Sequence, residues 1–461
     1  MPTSPEAHTT DTDAFTLRME RDPLLRSTIV SIILLDRSPK WDMLVERIER
    51  ATLLAPTFRQ RLERSPLGLA NPRWVVDADF DLSWHIRRVG APQPGNLDAV
   101  LELARVAGMT AFDPARPLWE FTLVEGMEGD TAALLMKVHH ALTDGIGGVD
   151  LAAHVVDFQR RPTKLGPKPE PPLHVAHGPV DDLTDAIGTD LRRAFDLTRG
   201  GLAKVPTSVV RAARNPIATV TGAVNTALAV ARFARPVTNT MSPVMTGRRL
   251  RWHYQVLDIP VADLKRAAAA VDGTLNDAFL AAAAGGLRRY HEEHDAKVDE
   301  LRVTMPISIR SDDDAIAGNR ITLARFTVPV GLTDPRERMR QINKLVTQTR
   351  HDPALPYSGA VAATLNLLPP NVTGGMLKHV DFLASNVPGL NRTAYIGGAR
   401  VDAFYGLGPT VGAAVNILLV SYCDTAHIGL TTNDGAVPDH ERFLTHLVDG
   451  FAEVIAVGHD G

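Results

Sequence analysis

Residues 117–141 read PLWEFTLVEGMEGDTAALLMKVHHA, and they constrain the fold more than any other stretch. Two apolar runs flank a polar turn with glycine, Gly126 to Asp130, and predict two adjacent strands. Side chains alternate across a strand, so Leu134, Met136, Val138 and His140 share one face. Leu135, Lys137 and His139 share the other. The face with His140 is uniformly apolar and is expected to look into the protein. His139 is expected to face away. The strand then runs into ALTDGIGG, whose glycines let the backbone pass close to something else.

Patterns of both periods continue on either side. TIVSIILL (28–35) predicts a buried strand. WDMLVERIERATLLAPTFRQRL (41–62) places Leu44, Val45 and Ile48 at helical spacing, with charges opposite. AVLELARVAGM (99–109) predicts a second amphipathic helix, and VDLAAHVVDFQ (149–159) a third. Further on, Pro260 opens a helix that Gly273 is expected to end. Thr274 caps the next helix, TLNDAFLAAAAGGLRRYHEE, with Asp277 in its first turn. LRVTMPISIR, ITLARFTVPV and AAVNILLVSYCDTAHIGLTT predict strands, and HERFLTHLVDGFAEVI a last helix.

With 461 residues the chain is too long for one ordinary core and suits two domains. Residues 161–180 carry six prolines, and residues 197–257 hold nine basic side chains and no acidic one. These stretches divide the chain into an N-terminal domain (1–160), an interdomain segment (161–249) and a C-terminal domain (250–461). Two like halves would leave a cleft between them. The acid-free segment reads either as a connection packed on the body or as a basic, apolar surface for anionic lipid. A net charge of −4 gives no reason to expect nucleic acid. A single cysteine, Cys423, excludes an internal disulfide and suits a reducing cytoplasm. The first ten or so residues are expected to be disordered. No leader and no membrane-spanning run is recognisable, so any membrane contact is expected to be peripheral.

An imidazole at the end of a buried strand, beside a glycine turn, is placed for general base work. His140 is the candidate. Asp144 either orients that ring or anchors the loop. A zinc site wants three or four ligands at set spacing, and neither a cysteine cluster nor H-E-x-x-H occurs. A serine hydrolase wants a G-x-S-x-G elbow, which is also missing. No metal and no cofactor is therefore expected.

HHALTDG resembles the HHxxxDG motif of the CoA-dependent acyltransferase superfamily. That superfamily includes chloramphenicol acetyltransferase-like enzymes and nonribosomal peptide condensation domains. DADFDLSWHIRR, FDPARPLWEF, TLNDAFLAAAAGGLRRY, PISIR, AGNRI, SNVPG and VNILLVSYCDTAHIGLTTND then resemble, in order, blocks of the bacterial wax ester synthase/diacylglycerol acyltransferase family. The resemblance runs from about Asp13 to the C-terminus. A DFG-type condensation block is absent. His139 to Asp144 also has the HxxxxD spacing of another lipid acyltransferase class, but that class's Pro-Glu-Gly-Thr partner block is missing.

The resemblance implies an α/β fold of two chloramphenicol acetyltransferase-like domains, each a mixed sheet flanked by helices, with a tunnel between them. It implies transfer of a fatty acyl group from acyl-CoA, as substrate, to diacylglycerol or a long-chain fatty alcohol. His140 would be the base, reached here also from the strand pattern, with His139 in support. Asn276 would be an oxyanion donor and Gly145 would allow close approach of substrate. Arg310 would serve the interdomain framework or, as the alternative, bind a phosphate of CoA. Cys423 is expected to be a buried strand residue without a chemical role. The place of action would be the cytoplasm, with peripheral contact to the membrane or a lipid droplet through residues 197–257. A carrier-protein-dependent acyltransferase and a catalytically weak lipid-binding relative are the alternatives. Three stretches depart from the family pattern and bear on acceptor choice: LLRSTIVSI, AFYGLGP, and Cys423–Asp424 after SY.

Overall fold

The computed structural model describes residues 8–64, 71–142, 154–161, 165–171, 237–308, 321–352 and 370–459. In the first half the strands are β1 (Thr28–Leu35), β2 (Gln60–Glu63), β3 (Arg73–Val76), β4 (Ile86–Gly90), β5 (Trp119–Glu125) and β6 (Ala132–His139). The helices are α1 (Asp11–Met19), α2 (Trp41–Leu54), the single turn α3 (Leu82–His85) and α4 (Leu97–Met109). The second half has β7 (Trp252–Pro260), α5 (Val261–Ala269), α6 (Leu275–Glu293), β8 (Glu300–Ser308), β9 (Ile321–Pro329), α7 (Pro335–Arg350) and α8 (Pro370–Leu377). It ends with β10 (Phe382–Pro388), β11 (Tyr395–Ile396), β12 (Ala399–Leu407), β13 (Val415–Tyr422), β14 (Thr425–Asn433) and α9 (His440–Val457).

Two six-stranded mixed sheets carry the architecture, in the orders β11-β12-β1-β6-β5-β4 and β7-β14-β13-β10-β8-β9. The α/β expectation is met, and the apolar hairpin β5–β6 lies where the sequence placed it. The halves are not separate in the chain, however. β12, from the second half, pairs antiparallel with β1, with Val30 opposite Leu407 and Ile32 opposite Tyr405. The first sheet is thus completed by residues from the far half of the chain, the pairing running on to Leu35 and Val401. Where β12 passes over the second sheet, its backbone comes close to Gly429 of β14. A Cβ on Gly429 would lie 1.9 Å from the Gly406 carbonyl oxygen. Beside this crossing the Tyr405 hydroxyl donates to Asp258 (3.0 Å), whose other oxygen meets His427 Nδ1 (2.7 Å). That trio ties β12, β7 and β14 together.

The second half is built round α6. The run Asn276–Leu287 is wholly buried. Its alanines and glycines let α9 come close: a Cβ on Gly450 would lie 2.4 Å from the Ala282 carbonyl oxygen. Thr274 caps α6 as expected, and with Asp277 it forms a reciprocal capping box. Arg338 of α7 is fully buried between α6 and α9. It donates to the carbonyls of Ala281 (2.9 Å) and Leu332 (2.7 Å) and pairs with Glu453.

Several local expectations are corrected. The helix from Trp41 stops at Leu54. Pro56 starts a short 3-10 turn, and Gln60–Glu63 is a strand, so the helical run to Leu62 breaks where proline removes an amide donor. The α5 helix ends at Ala269, and the left-handed residue after it is Asp272 (φ 56°), not Gly273. Cys423 is half-buried and sits in the two-residue β13–β14 turn at φ 50°, not within a strand. This is a position that favours glycine. At the N-terminus, His8 to Thr10 are ordered beside the chain at 71–73. Thr9 N donates to the Pro72 carbonyl (2.8 Å), and Thr10 caps α1. In the interdomain segment, residues 172–236 lie outside the described residues, including Arg211, Arg214, Arg232 and Arg235 of the lipid-surface reading. Arg248 does not belong to such a surface. It is drawn inward, donating to the carbonyls of Gly412, Met245, Gly247 and Val380, and burial brings its pKa down to about 10. Arg249 and Arg251 are exposed near Asp434.

Candidate active site

Strand β6 has cover on both faces, so every residue from Ala132 to His139 is buried. Leu134, Met136 and Val138 pack with Leu44, Ile48, Phe58 and Trp119. Ala133 and Leu135 pack with α4 and with Tyr254 and Tyr405 of the second half. The alternation is as expected. What it implied for the histidines is reversed. His139 ends the strand and is 1% exposed, whereas His140 lies just beyond it in a turn, with its side chain exposed. The regular pleat stops at His139, so His140 no longer follows the face of Val138.

Lys137 and His139 bring polar groups into a mostly apolar face. Lys137 Nζ is 3.1 Å from Glu120 Oε1 of the neighbouring strand and 4.1 Å from the centre of the Phe112 ring. Burial pulls the lysine pKa down, and Glu120 opposes it. Phe112 also presents its ring edge-on to His139, at 6.1 Å between centres. His139 Nδ1 accepts a hydrogen bond from the Ala141 amide (2.9 Å). In the neutral ring this puts the proton on Nε2. Nε2 lies 2.9 Å from Glu20 Oε1, close enough for an ion pair but poorly aligned for a hydrogen bond.

Glu20 follows α1, and its Oε1 also accepts from the Ser27 amide (2.6 Å). Burial would raise its pKa, but His139 and the Ser27 amide outweigh it and hold the carboxyl below its ordinary value. Asp13, on α1, is influenced by both histidines. Burial is the larger effect there and raises its pKa, although Thr10, His140 and His139 all favour the charged form. The His140 amide donates to the Ser27 carbonyl (2.9 Å).

The structure therefore brings His139 and His140 together with Glu20 and Asp13. The carboxylate expected from the motif, Asp144, lies outside the described residues, as do Gly145 and Arg310. Asn276 is buried in the first turn of α6, with Nδ2 3.9 Å from the Met305 sulfur, and no described contact links it to the histidines. Glu20, Asp13, Lys137 and Phe112 escaped the sequence reading. The α1 stretch has no motif, and Phe112 and Lys137 meet only once the sheet has formed. Among the described residues no cluster of three or more His, Cys, Asp or Glu side chains is placed to hold a metal ion. Among them also, no helix is long and apolar enough to cross a membrane.

Comparison with known proteins bears on the chemistry. Residues 10–279 match the wax ester synthase/diacylglycerol acyltransferase catalytic domain, and residues 317–454 match the C-terminal domain of the same family. A Mycobacterium tuberculosis H37Rv protein named as a diacylglycerol O-acyltransferase is 36% identical over 458 residues, covering 95% of this chain and 90% of the relative. Another from M. tuberculosis, named as the diacylglycerol O-acyltransferase tgs1, is 28% identical, covering 87% of this chain and 85% of the relative. Among solved structures, the wax ester synthase/diacylglycerol acyltransferase of Marinobacter aquaeolei VT8 aligns with a TM-score of 0.65 at 21% identity, over 98% of this chain and all of that one. The starter condensation domain of rhizomide synthetase aligns with a TM-score of 0.62 at 14% identity, over 98% of this chain and 94% of that one. The last two likenesses speak to the fold alone. The chain, from the histidine motif to the closing helix, belongs to the wax ester synthase/diacylglycerol acyltransferase family.

Proposed function

We propose that this acyltransferase moves a long-chain fatty acyl group from acyl-CoA to the free hydroxyl of diacylglycerol, making triacylglycerol, and also accepts long-chain alcohols to give wax esters. The observation that carries the reading is His140: an exposed imidazole at the end of a buried strand, inside the family's motif. His140 takes the proton from the acceptor hydroxyl. The oxygen attacks the thioester carbonyl, the C–S bond of the tetrahedral intermediate breaks, and His140 returns the proton to the CoA thiolate. No covalent acyl-enzyme is required, and Cys423, in its hairpin turn, has no part. Donors near the oxyanion would complete the site, with Asn276 as the candidate. Acyl-CoA is a substrate here, and no separate cofactor enters the scheme.

The test is direct. Purified protein is given labelled palmitoyl-CoA with a diacylglycerol or with hexadecanol, beside a His140→Ala control. Triacylglycerol made by the wild type and lost in the variant supports the reading. Turnover only with acyl groups on a carrier protein would replace it with a condensation-like reaction, and equal background from both proteins would sink the enzymatic reading. The proposed place of action is the cytoplasmic side of a membrane or a lipid droplet, reached through the basic stretch 197–257. Vesicles with anionic lipid should bind the protein less as salt rises. Binding unchanged when Arg211, Arg214, Arg232 and Arg235 are neutralised would count against that stretch.

A further inference from the structure

Glu20 belongs to no motif, yet one of its oxygens serves two groups at the histidine end of β6. Oε1 takes the Ser27 amide at 2.6 Å and lies 2.9 Å from His139 Nε2. The Ser27 carbonyl takes the His140 amide (2.9 Å), and His139 Nδ1 takes the Ala141 amide (2.9 Å). These contacts close a ring that runs from Glu20 through Ser27, the backbone of His140 and Ala141, and the His139 ring back to Glu20. From this frame we infer that Glu20 is a positioning residue for acyl transfer, holding the His139 ring and with it the turn from which the His140 side chain leaves the strand. The inference rests on His140 being the base.

The physical reasoning is local. His139 is buried, so its Nε2–H needs a negative or accepting neighbour, and Glu20 is the carboxylate beside it. Without that partner, a flip of the ring would leave the Ala141 amide without its acceptor. Both amides that fix the turn, those of His140 and Ala141, depend on groups that Glu20 holds. A catalytic group misplaced by ~1 Å can cost on the order of 10²-fold in rate. Glu20 touches no reacting atom and acts only through His139 and Ser27.

Steady-state kinetics with acyl-CoA and diacylglycerol test this. Glu20→Ala should lower kcat by roughly 10- to 100-fold while the KM for acyl-CoA stays within about twofold. Glu20→Met, which fills the space without an acceptor, should behave alike and guards against a folding defect in the alanine variant. Glu20→Gln keeps an oxygen where Oε1 stands and should recover most of the lost kcat. In histidine-labelled protein, 15N spectra should show His139 protonated on Nε2 in the wild type and in Glu20→Gln, and mixed in Glu20→Met. Near-normal kcat in both Glu20→Ala and Glu20→Met would overturn the inference, as would a Glu20→Gln variant no better than they are. His140→Ala is measured in parallel. If it is inactive while the Glu20 variants are unimpaired, only this inference falls; if it turns over like wild type, the base assignment falls and takes the inference with it.

Discussion

The histidine end of β6 and the helical layer of the second half are both buried, yet they are buried for different ends. Around α6 and α9 the interior is apolar, and its deep charges are held: Arg338 has donors taken by two carbonyls and Glu453, and Asp277 accepts from the Thr274 amide and from Asn343. Around β6 a lysine, a histidine and three acidic side chains, Glu120, Glu20 and Asp13, crowd an apolar face, with Glu20 and Asp13 shifted from their ordinary pKa values in opposite directions. A scaffold satisfies its polar groups and closes over them. A site keeps charged groups at the margin of burial, where small changes in geometry alter their chemistry.

If this contrast holds, substitutions in the two regions should separate activity from stability. The largest effect is expected at His140. His140→Ala should lower turnover by roughly 10²- to 10⁴-fold, the usual contribution of a general base. Its urea midpoint should stay near that of the wild type, because the side chain is exposed. Arg338→Ala should do the reverse, costing about 2–5 kcal/mol of unfolding free energy by leaving a cavity and the Ala281 and Leu332 carbonyls without their donors, while Glu453 keeps Arg288 and Arg289. The kcat of the folded fraction should be unchanged, and a fall in kcat with little loss of stability would break the comparison.

Smaller effects sharpen it. Gly450→Ala pushes a methyl group against the Ala282 carbonyl and should cost about 1–3 kcal/mol, read from the same denaturation curves. Thr274→Ala removes a capping hydroxyl from α6 and should cost about 1 kcal/mol. The smallest effect is a pH dependence. The Glu20 carboxyl sits below its ordinary 4.5 in the folded chain, so its contribution is complete above that value and is lost as pH falls through the lower folded value. Acid unfolding curves of Glu20→Gln should lack this component; identical curves for variant and wild type would show that Glu20 adds no such linkage.

Much of this was legible in the sequence because local patterns and local structure coincide. The strands β1, β5, β6, β8, β9, β13 and β14 and the helices α4, α6 and α9 follow from periodicity, and the α6 cap from Thr274 standing just before the helix. The histidine motif carried the chemistry. What failed were inferences that stretched a local rule past its end. Alternation assigns faces only while the pleat continues, and it stops one residue before His140. A helical pattern from Trp41 says nothing of where a proline will cut it.

The sequence by itself determined the two-part α/β organisation and the family, since these depend on residue order and on motifs a few residues long; for the base it offered only a candidate. Only the tertiary structure decided that β12 closes the first sheet, that Gly429 must be bare where that strand crosses, and that Glu20 of the N-terminal stretch faces His139. The pairing of β1 with β12 and the contact of Glu20 with His139 join residues more than a hundred positions apart. No local preference records them, because they exist only when burial and backbone pairing have brought the distant segments together.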